Sequence, residues 1–253
     1  MSVELEIVFP PEGMTARRLL MNFLASLSEE ASILLYPDRA VIQAPSEHDI
    51  VEVINMKLQK AGETLADALK RERRRLSDLS IHVNDRKGVF KKLGRELAKG
   101  DKFCQTVSEL LREVYLSWEE LSRDLREVSI SPGSIRMGKG SARELISLPQ
   151  PFLYERYQAR YEFLRGRGGD KIDFRATRPW MYLLFAGFAL GYCGNFRTGR
   201  TGSGELAIAF VPEFTLSRVI SDEGIRKIMV RENGIFPVLK KLAVPPRPAT
   251  AYM

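Results

Sequence analysis

Two cysteines and two histidines are all that this 253-residue chain offers to disulfide, thiol or imidazole chemistry. Cys104 and Cys193 lie far apart in apolar or amphipathic stretches, which excludes a disulfide framework and reads as two buried thiols. His48 and His82 have no Cys or further His at ligand spacing. No metal centre and no histidine-activated nucleophile is therefore expected, and both histidines read as surface residues. Asn and Gln are scarce, at five each, while charged residues make up 28%. Avoided deamidation and room for ion-pair networks point toward a thermophile. The opening Met1-Ser2-Val3-Glu4-Leu5-Glu6 has neither the basic nor the apolar region of a secretory signal, so a cytoplasmic location is expected. Charge-free runs are short, with one exception at Pro179–Phe196, between Arg178 and Arg197. A bilayer span needs about 20 apolar residues, and the helical part here is about 14 before Gly194-Asn195 intervenes. The segment reads as a buried core helix, with Gly187 and Gly191 permitting close packing, and no membrane partner is expected.

What the chain does have is segregated charge. The net charge is +7, yet residues 1–127 hold 20 Lys/Arg against 22 Asp/Glu, and residues 128–253 hold 19 against 10. The basicity belongs to the second half, and arginine outnumbers lysine two to one. Segregated charge reads as the footprint of an acidic partner, and arginine favours bidentate contact with phosphate.

Hydrophobic spacing predicts an α+β fold, mainly helical. Val3–Phe9 alternates as a half-buried strand and ends at Pro10-Pro11. A helix follows from Thr15, its N-cap, through Leu19, Phe23 and Leu27, and Arg39–Ala44 is a second strand, completing a β-α-β-like start. Ser46-Glu47-His48-Asp49 resembles a capping box opening a long helix along Ile50, Ile54, Leu58, Ala61, Leu65 and Leu69. After Gly100-Asp101 a further helix carries Val107, Leu111, Val114, Trp118, Leu121, Leu125 and Val128, alternating steps of four and three. This is a heptad seam, used either for packing inside a bundle or for docking on a partner protein. Composition changes at Ser131-Pro132-Gly133. The expected organisation is therefore an α/β start plus helical bundle over 1–130, a basic glycine-punctuated part over 131–244, and a proline-rich tail over 245–253. In the second part Gln150–Arg165 is expected to be helical, and Lys171–Arg175 and Leu206–Val211 to be strands.

Gly133-Ser134-Ile135-Arg136-Met137-Gly138-Lys139 matches seven positions of a phosphate-binding P-loop after an expected strand at Val128–Ser131. The eighth position, where a hydroxyl should reach Mg²⁺, is Gly140, with Ser141 one place late. The alternatives are an imperfect nucleotide-binding loop, with a short helix after it, and a basic loop, with Arg136 and Lys139, that serves nucleic-acid binding. No catalytic centre and no cofactor is expected. The stronger candidate is distributed: Arg165, Arg167 and Lys171 among Gly166, Gly168 and Gly169, then Arg175 and Arg178. Beyond the apolar helix, Gly194–Gly204 holds four glycines, three hydroxyls, Arg197, Arg200 and Phe196. Glycine exposes backbone N–H groups, arginine forks onto phosphate oxygens, and Phe196 can stack on a base. A plain connection is the other reading of that loop. Lys70–Arg75 with Lys91 and Lys92 is a second basic cluster, read as a solvated helix end or a phosphate-tracking surface.

Arg178-Pro179-Trp180 leading a glycine-containing apolar helix, then the Gly194–Gly204 loop and the strand Leu206–Val211, resembles the large subunit of archaeal type I-A CRISPR interference complexes (Cascade) over about residues 130–212. The resemblance implies a non-enzymatic, binding subunit of a ribonucleoprotein with guide RNA and other protein subunits as partners. Such a subunit helps recognise the short DNA motif beside the target and assists recruitment of a separate helicase-nuclease. It also implies Arg197 and Arg200 as contacts to duplex or guide. A protein-only scaffold using the heptad face is the alternative from another class.

Overall fold

Residues 2–72, 79–141, 143–153, 173–197, 204–208 and 210 are described by the structure, a computed structural model. Strand β1 (Val3–Val8) sends Leu5 and Ile7 into the core and turns Glu4 and Glu6 outward. Helix α1 (Thr15–Leu27) begins one residue earlier than a Thr15 cap requires. Met14 is the N-cap, in extended conformation and without a side-chain cap bond, because a turn from Pro11 (Met14 N–H to Pro11 O, 3.3 Å) sets the helix entry. The expected β-α-β-like start gains an unanticipated strand, β2 (Ser32–Leu35), ahead of β3 (Arg39–Ala44). Tyr36 N–H closes the Pro37-Asp38 turn on the Arg39 carbonyl at 2.8 Å, so β2 and β3 form a hairpin. Both β1 and β2 pair antiparallel with β3, in the order β1-β3-β2.

Helix α2 (Glu47–Glu72) starts as its capping residues predict: Ser46 Oγ accepts the Asp49 N–H at 3.2 Å and donates to Asp49 Oδ2 at 2.8 Å. Its apolar face, Ile50, Ile54, Leu58, Ala61 and Leu65, is fully buried. Helix α3 (Val83–Asp85) runs on into a π turn over Arg86–Phe90. The single helix expected to carry the heptad seam is two: α4 (Phe103–Glu113) and α5 (Trp118–Asp124). Val114 is extended, and Ser117 caps α5 in a complete capping box with Glu120. Asn55 of α2 holds the break, accepting the Leu116 N–H at 2.8 Å and donating to the Leu116 carbonyl at 2.9 Å. Val107, Leu111, Val114, Leu121 and Leu125 are all buried in the chain's own core, and Trp118 is half-buried against it. The seam is therefore internal, and the partner-docking reading of these residues has no exposed apolar face to use.

The second sheet contains β4 (Val128–Ser131), β5 (Ser134–Met137), β6 (Ile146–Ser147) and β7 (Asp173–Ala176), in the order β4-β5-β7-β6. β5 and β7 run parallel, while β4 and β6 flank them antiparallel. Ile135, Met137, Ile146, Phe174 and Ala176 face the core. A short 3₁₀ turn at Gln150–Phe152 stands where a longer helix was expected, and the rest of that segment lies outside the described residues.

Helix α6 (Arg178–Gly191) is the 14-residue apolar helix anticipated from its composition, and every residue after Arg178 is buried. It packs on α1, α2 and α4, and its Phe185 and Phe188 join Phe90, Phe103 and Phe152 in a ring cluster with centroids 5.5–6.4 Å apart. Each large apolar side chain removed from water contributes about 1.5–3 kcal/mol, so this helix is a main source of cohesion. The boundary expected near residue 130 marks the start of the second sheet but does not divide the core, since one cluster runs from Leu5 to Tyr192. β8 (Tyr192–Arg197) and β9 (Gly204–Ile208) pair antiparallel, so Gly194–Arg197, expected as loop, is strand, and β9 takes up the start of the predicted Leu206–Val211 strand. Among the described residues no helix is long and apolar enough to cross a membrane.

Candidate nucleic-acid interface

The parallel pairing of β5 with β7 brings together four cations that lie some forty residues apart in the chain. Arg136 and Arg175 are register partners, and antiparallel pairing extends the row to Ser129 on β4 and Ser147 on β6. Alternation puts this row on the face opposite the buried Ile135, Met137 and Phe174. Arg136, Ser129 and Ser147 are exposed, and Arg136 has no ion-pair partner among the described residues. Arg175 is half-buried, and its Nε donates to Asp173 Oδ2 at 2.6 Å. Asp173 is thus engaged in holding Arg175.

At the carboxyl ends of the same two strands the chain opens a cleft of about 460 Å³, lined by Lys139, Gly140 and Ser141 after β5 and by Thr177, Arg178 and Pro179 after β7. Parallel strands place following helix N-termini at such an edge, where ligands commonly bind. Glu120, Arg123, Asp124 and Glu144 line the rest. Gly138 bends the chain between strand and cleft with φ +94°, and a Cβ there would sit 2.3 Å from Thr177 Oγ1, so no larger residue fits. Three carboxylates in the cleft are already engaged. Glu120 takes Arg178 Nη1, Asp124 takes Arg123 Nε at 2.7 Å, and Glu144 accepts the Ser141 N–H at 2.7 Å. The Ser141 hydrogen bonds hold the Glu144 carboxyl below its ordinary range. Hydrogen bonding to Asp124 likewise pushes the Arg123 guanidinium higher. Lys139 is exposed and is the cleft's cation without an ion-pair partner among the described residues.

Arg178 differs from the role expected of it. Besides Glu120 it donates to the Tyr115 carbonyl at 3.3 Å, and it lies over the Tyr182 ring at 5.4 Å. It ties the start of α6 to the α4–α5 connection, so most of its hydrogen-bonding capacity is used within the protein. Burial pushes the Tyr182 phenol up, and Arg178 partly offsets this.

The P-loop reading of 133–139 is overturned by the backbone. Gly133 (φ +80°) makes the β4–β5 hairpin turn, and Ser134–Met137 is a strand bonded on both sides. Its N–H groups belong to the ladder and cannot cradle a phosphate, and the next element after Lys139 is β6, not a helix. Lys92 also has another task, donating to the Leu145 and Arg143 carbonyls at 2.7 and 3.1 Å. Lys70, at the end of α2, pairs with Asp67 at 3.1 Å. His48 and His82 are exposed, Cys104 is buried, and Cys193 is only half-buried.

Comparison with protein-family models, with curated proteins and with solved structures gives no match for this chain. Of the expected contacts, Arg136, Lys139, Arg175 and Arg178 converge. Arg165, Arg167, Lys171 and Arg200 lie outside the described residues, and Phe196 and Arg197 are placed only as backbone of β8. Thr177 escaped notice in the sequence, and Ser141 was noticed only as a P-loop hydroxyl one place late. Thr177-Arg178-Pro179 carries a signal that would have found it: a hydroxyl residue, then proline in the first turn, marks a helix start.

Proposed function

We propose that the protein binds nucleic acid through its phosphates, acting as a non-enzymatic subunit of a ribonucleoprotein. The observation that carries this reading is the Arg136–Arg175 register pair on the solvent face of the second sheet, continued by Lys139 at the strand end. Like charges directly opposite on neighbouring strands repel, and one Asp173 carboxylate compensates only one of them. A flanking row of serine hydroxyls adds donors suited to phosphate oxygens. The excess of basic residues after position 127 supports an extended contact rather than a single one. Binding rather than turnover fits a P-loop-like sequence that is spent on a strand. The resemblance to the large subunit of archaeal type I-A CRISPR interference complexes supplies the setting of this proposal: guide RNA, target DNA and other protein subunits.

The test is a titration of purified protein against labelled single-stranded RNA, single-stranded DNA and duplex DNA at several salt concentrations. Sub-micromolar binding with a steep salt slope is expected. Arg136→Ala should weaken binding to every sequence alike and flatten the slope by about 0.7–0.9, the value of one lost phosphate contact. An unchanged slope would remove the sheet face from the interface, and no binding by the unaltered protein near physiological salt would overturn the reading.

A further inference from the structure

Thr177 is the N-cap of α6 yet does not cap it. Its backbone is extended (φ −74°, ψ 170°), the conformation from which a threonine hydroxyl ordinarily accepts an N–H of the first turn, but no such bond forms. The residue lines the cleft, is only 4% exposed, and its Oγ1 has no hydrogen-bond partner among the described residues. The first-turn amides have no intrahelical acceptors, and Pro179 contributes no N–H. The helix end thus holds a buried hydroxyl and backbone donors left unmatched, an arrangement that costs about 1–3 kcal/mol per group unless something else satisfies it. Around it, Arg178 is paired with Glu120 and Arg123 with Asp124, Glu144 accepts the Ser141 N–H, and Lys139 has no ion-pair partner among the described residues. The field of a 14-residue buried helix and the free ammonium both favour negative charge at this point.

We propose that this cleft binds a phosphate monoester, specifically the terminal phosphate of a nucleic-acid strand, held by the α6 amides, the Thr177 hydroxyl and the Lys139 ammonium. The flat sheet row of Arg136 and Arg175 suits a backbone passing by, whereas the cleft at the N-terminus of α6 suits a group presented end-on. The choice of a strand end as the ligand rests on the nucleic-acid reading above; the phosphate site itself does not. Gly138 and Lys139, singled out by their likeness to a P-loop, acquire a phosphate role here by a different geometry, at the end of a strand rather than in a loop before a helix.

The experiment compares oligonucleotides of one sequence carrying a 5′-phosphate, a 3′-phosphate or hydroxyls at both ends. One phosphorylated end should bind about tenfold more tightly than the hydroxyl-ended strand, and inorganic phosphate should compete the preference away. Thr177→Val and Lys139→Ala should each abolish the preference, and Thr177→Ser, which keeps the hydroxyl, should retain it. Lys139 is exposed, so its variant remains informative if Thr177→Val fails to fold. Arg136→Ala should weaken all strands and leave the ratio between them intact. Equal binding of all three strands would overturn the terminal-phosphate site while leaving the broader nucleic-acid reading standing. So would a preference that survives both Lys139→Ala and Thr177→Val. If no strand binds, inorganic phosphate alone decides: shifts of the backbone amide resonances of Arg178 and Trp180 that Lys139→Ala removes would uphold the site, and their absence would refute it.

Discussion

Gly187 on α6 lies against the backbone of Leu19 on α1 so closely that a Cβ at that position would stand 1.8 Å from the Leu19 carbonyl oxygen. Asn22, one turn along α1, donates from Nδ2 to the Gly187 carbonyl at 3.1 Å and fixes the two helices at this point. The contact joins the first helix of the chain to the last described one, which is why the charge boundary near residue 130 does not become a boundary in the core.

Gly187→Ala should therefore destabilise the protein by about 3 kcal/mol or more, because the obstacle is backbone and cannot swing aside. Chemical denaturation gives the number. Gly88→Ala is the counterpart: a Cβ there meets nothing within 4 Å, and the residue lies in the π turn without a positive φ. It should leave stability unchanged or raise it by about 0.5–1 kcal/mol, through a less flexible unfolded chain. If both substitutions behave alike, the α1–α6 contact is looser than the structure shows.

Asn55→Ala should cost about 2–4 kcal/mol, since it strips partners from both the N–H and the carbonyl of buried Leu116 and from the Val51 carbonyl. Asn55→Asp keeps the acceptor for the Leu116 N–H but faces a carboxylate toward two carbonyls, and should be at least as harmful. Urea denaturation of both variants, with hydrogen exchange at Leu116, tests this. Wild-type protection at Leu116 in either variant would show that the break is held by packing alone.

Asn55 also marks where the sequence stops being readable. The steps of four and three from Val107 to Val128 continue in phase across the break, so side-chain periodicity alone reports one helix. The Ser117–Glu120 capping box is the local sign of a second start, a signal that the unbroken periodicity hides. Local signals did locate β1, β3, Ser46 as the cap of α2, and α6 with its length, because each is written in adjacent residues. The pairing of Arg136 with Arg175 is not written there at all. It depends on a parallel ladder closed over an intervening segment, which no spacing encodes. Arg178 looked available for the same reason, since Glu120 and Tyr115 approach it only through the tertiary fold.

Asp85 should make stability fall as pH rises. It is buried, accepts the Gln150 N–H at 3.0 Å, and burial raises its pKa from 3.8 to about 6, with that hydrogen bond and nearby His82 opposing. The folded state therefore holds this proton up to about pH 6, whereas the unfolded chain releases it near 3.8. Between those values the folded state binds more protons, so Asp85 withdraws stability as pH rises and costs about 1–3 kcal/mol at neutral pH. Asp85→Asn keeps an acceptor for Gln150 without the charge. It should be more stable than the parent at pH 7, and the two should converge near pH 4. Thermal unfolding across that range checks the sign, and a variant less stable at pH 7 would mean that the charge is wanted.

Arg178 and Lys139 line one cleft but should separate cleanly when removed. Arg178 holds Glu120, the Tyr115 carbonyl and the Tyr182 ring, and so anchors the first turn of α6. Arg178→Ala should lower stability by about 1–2 kcal/mol, little of it from the ion pair itself, because both partners are partly exposed to solvent. A double-mutant cycle with Glu120→Gln isolates that pair. Gln is preferable to Ala, since Glu120 Oε2 also accepts the Ser117 N–H at 3.1 Å and must still close the capping box. The coupling should be about 0.5–1 kcal/mol. Lys139→Ala, with no ion pair to lose, should leave the unfolding midpoint where it was and register only in phosphate and nucleic-acid binding. A stability loss for Lys139→Ala equal to that of Arg178→Ala would assign both cations to the scaffold and leave the cleft without a charge free for a ligand.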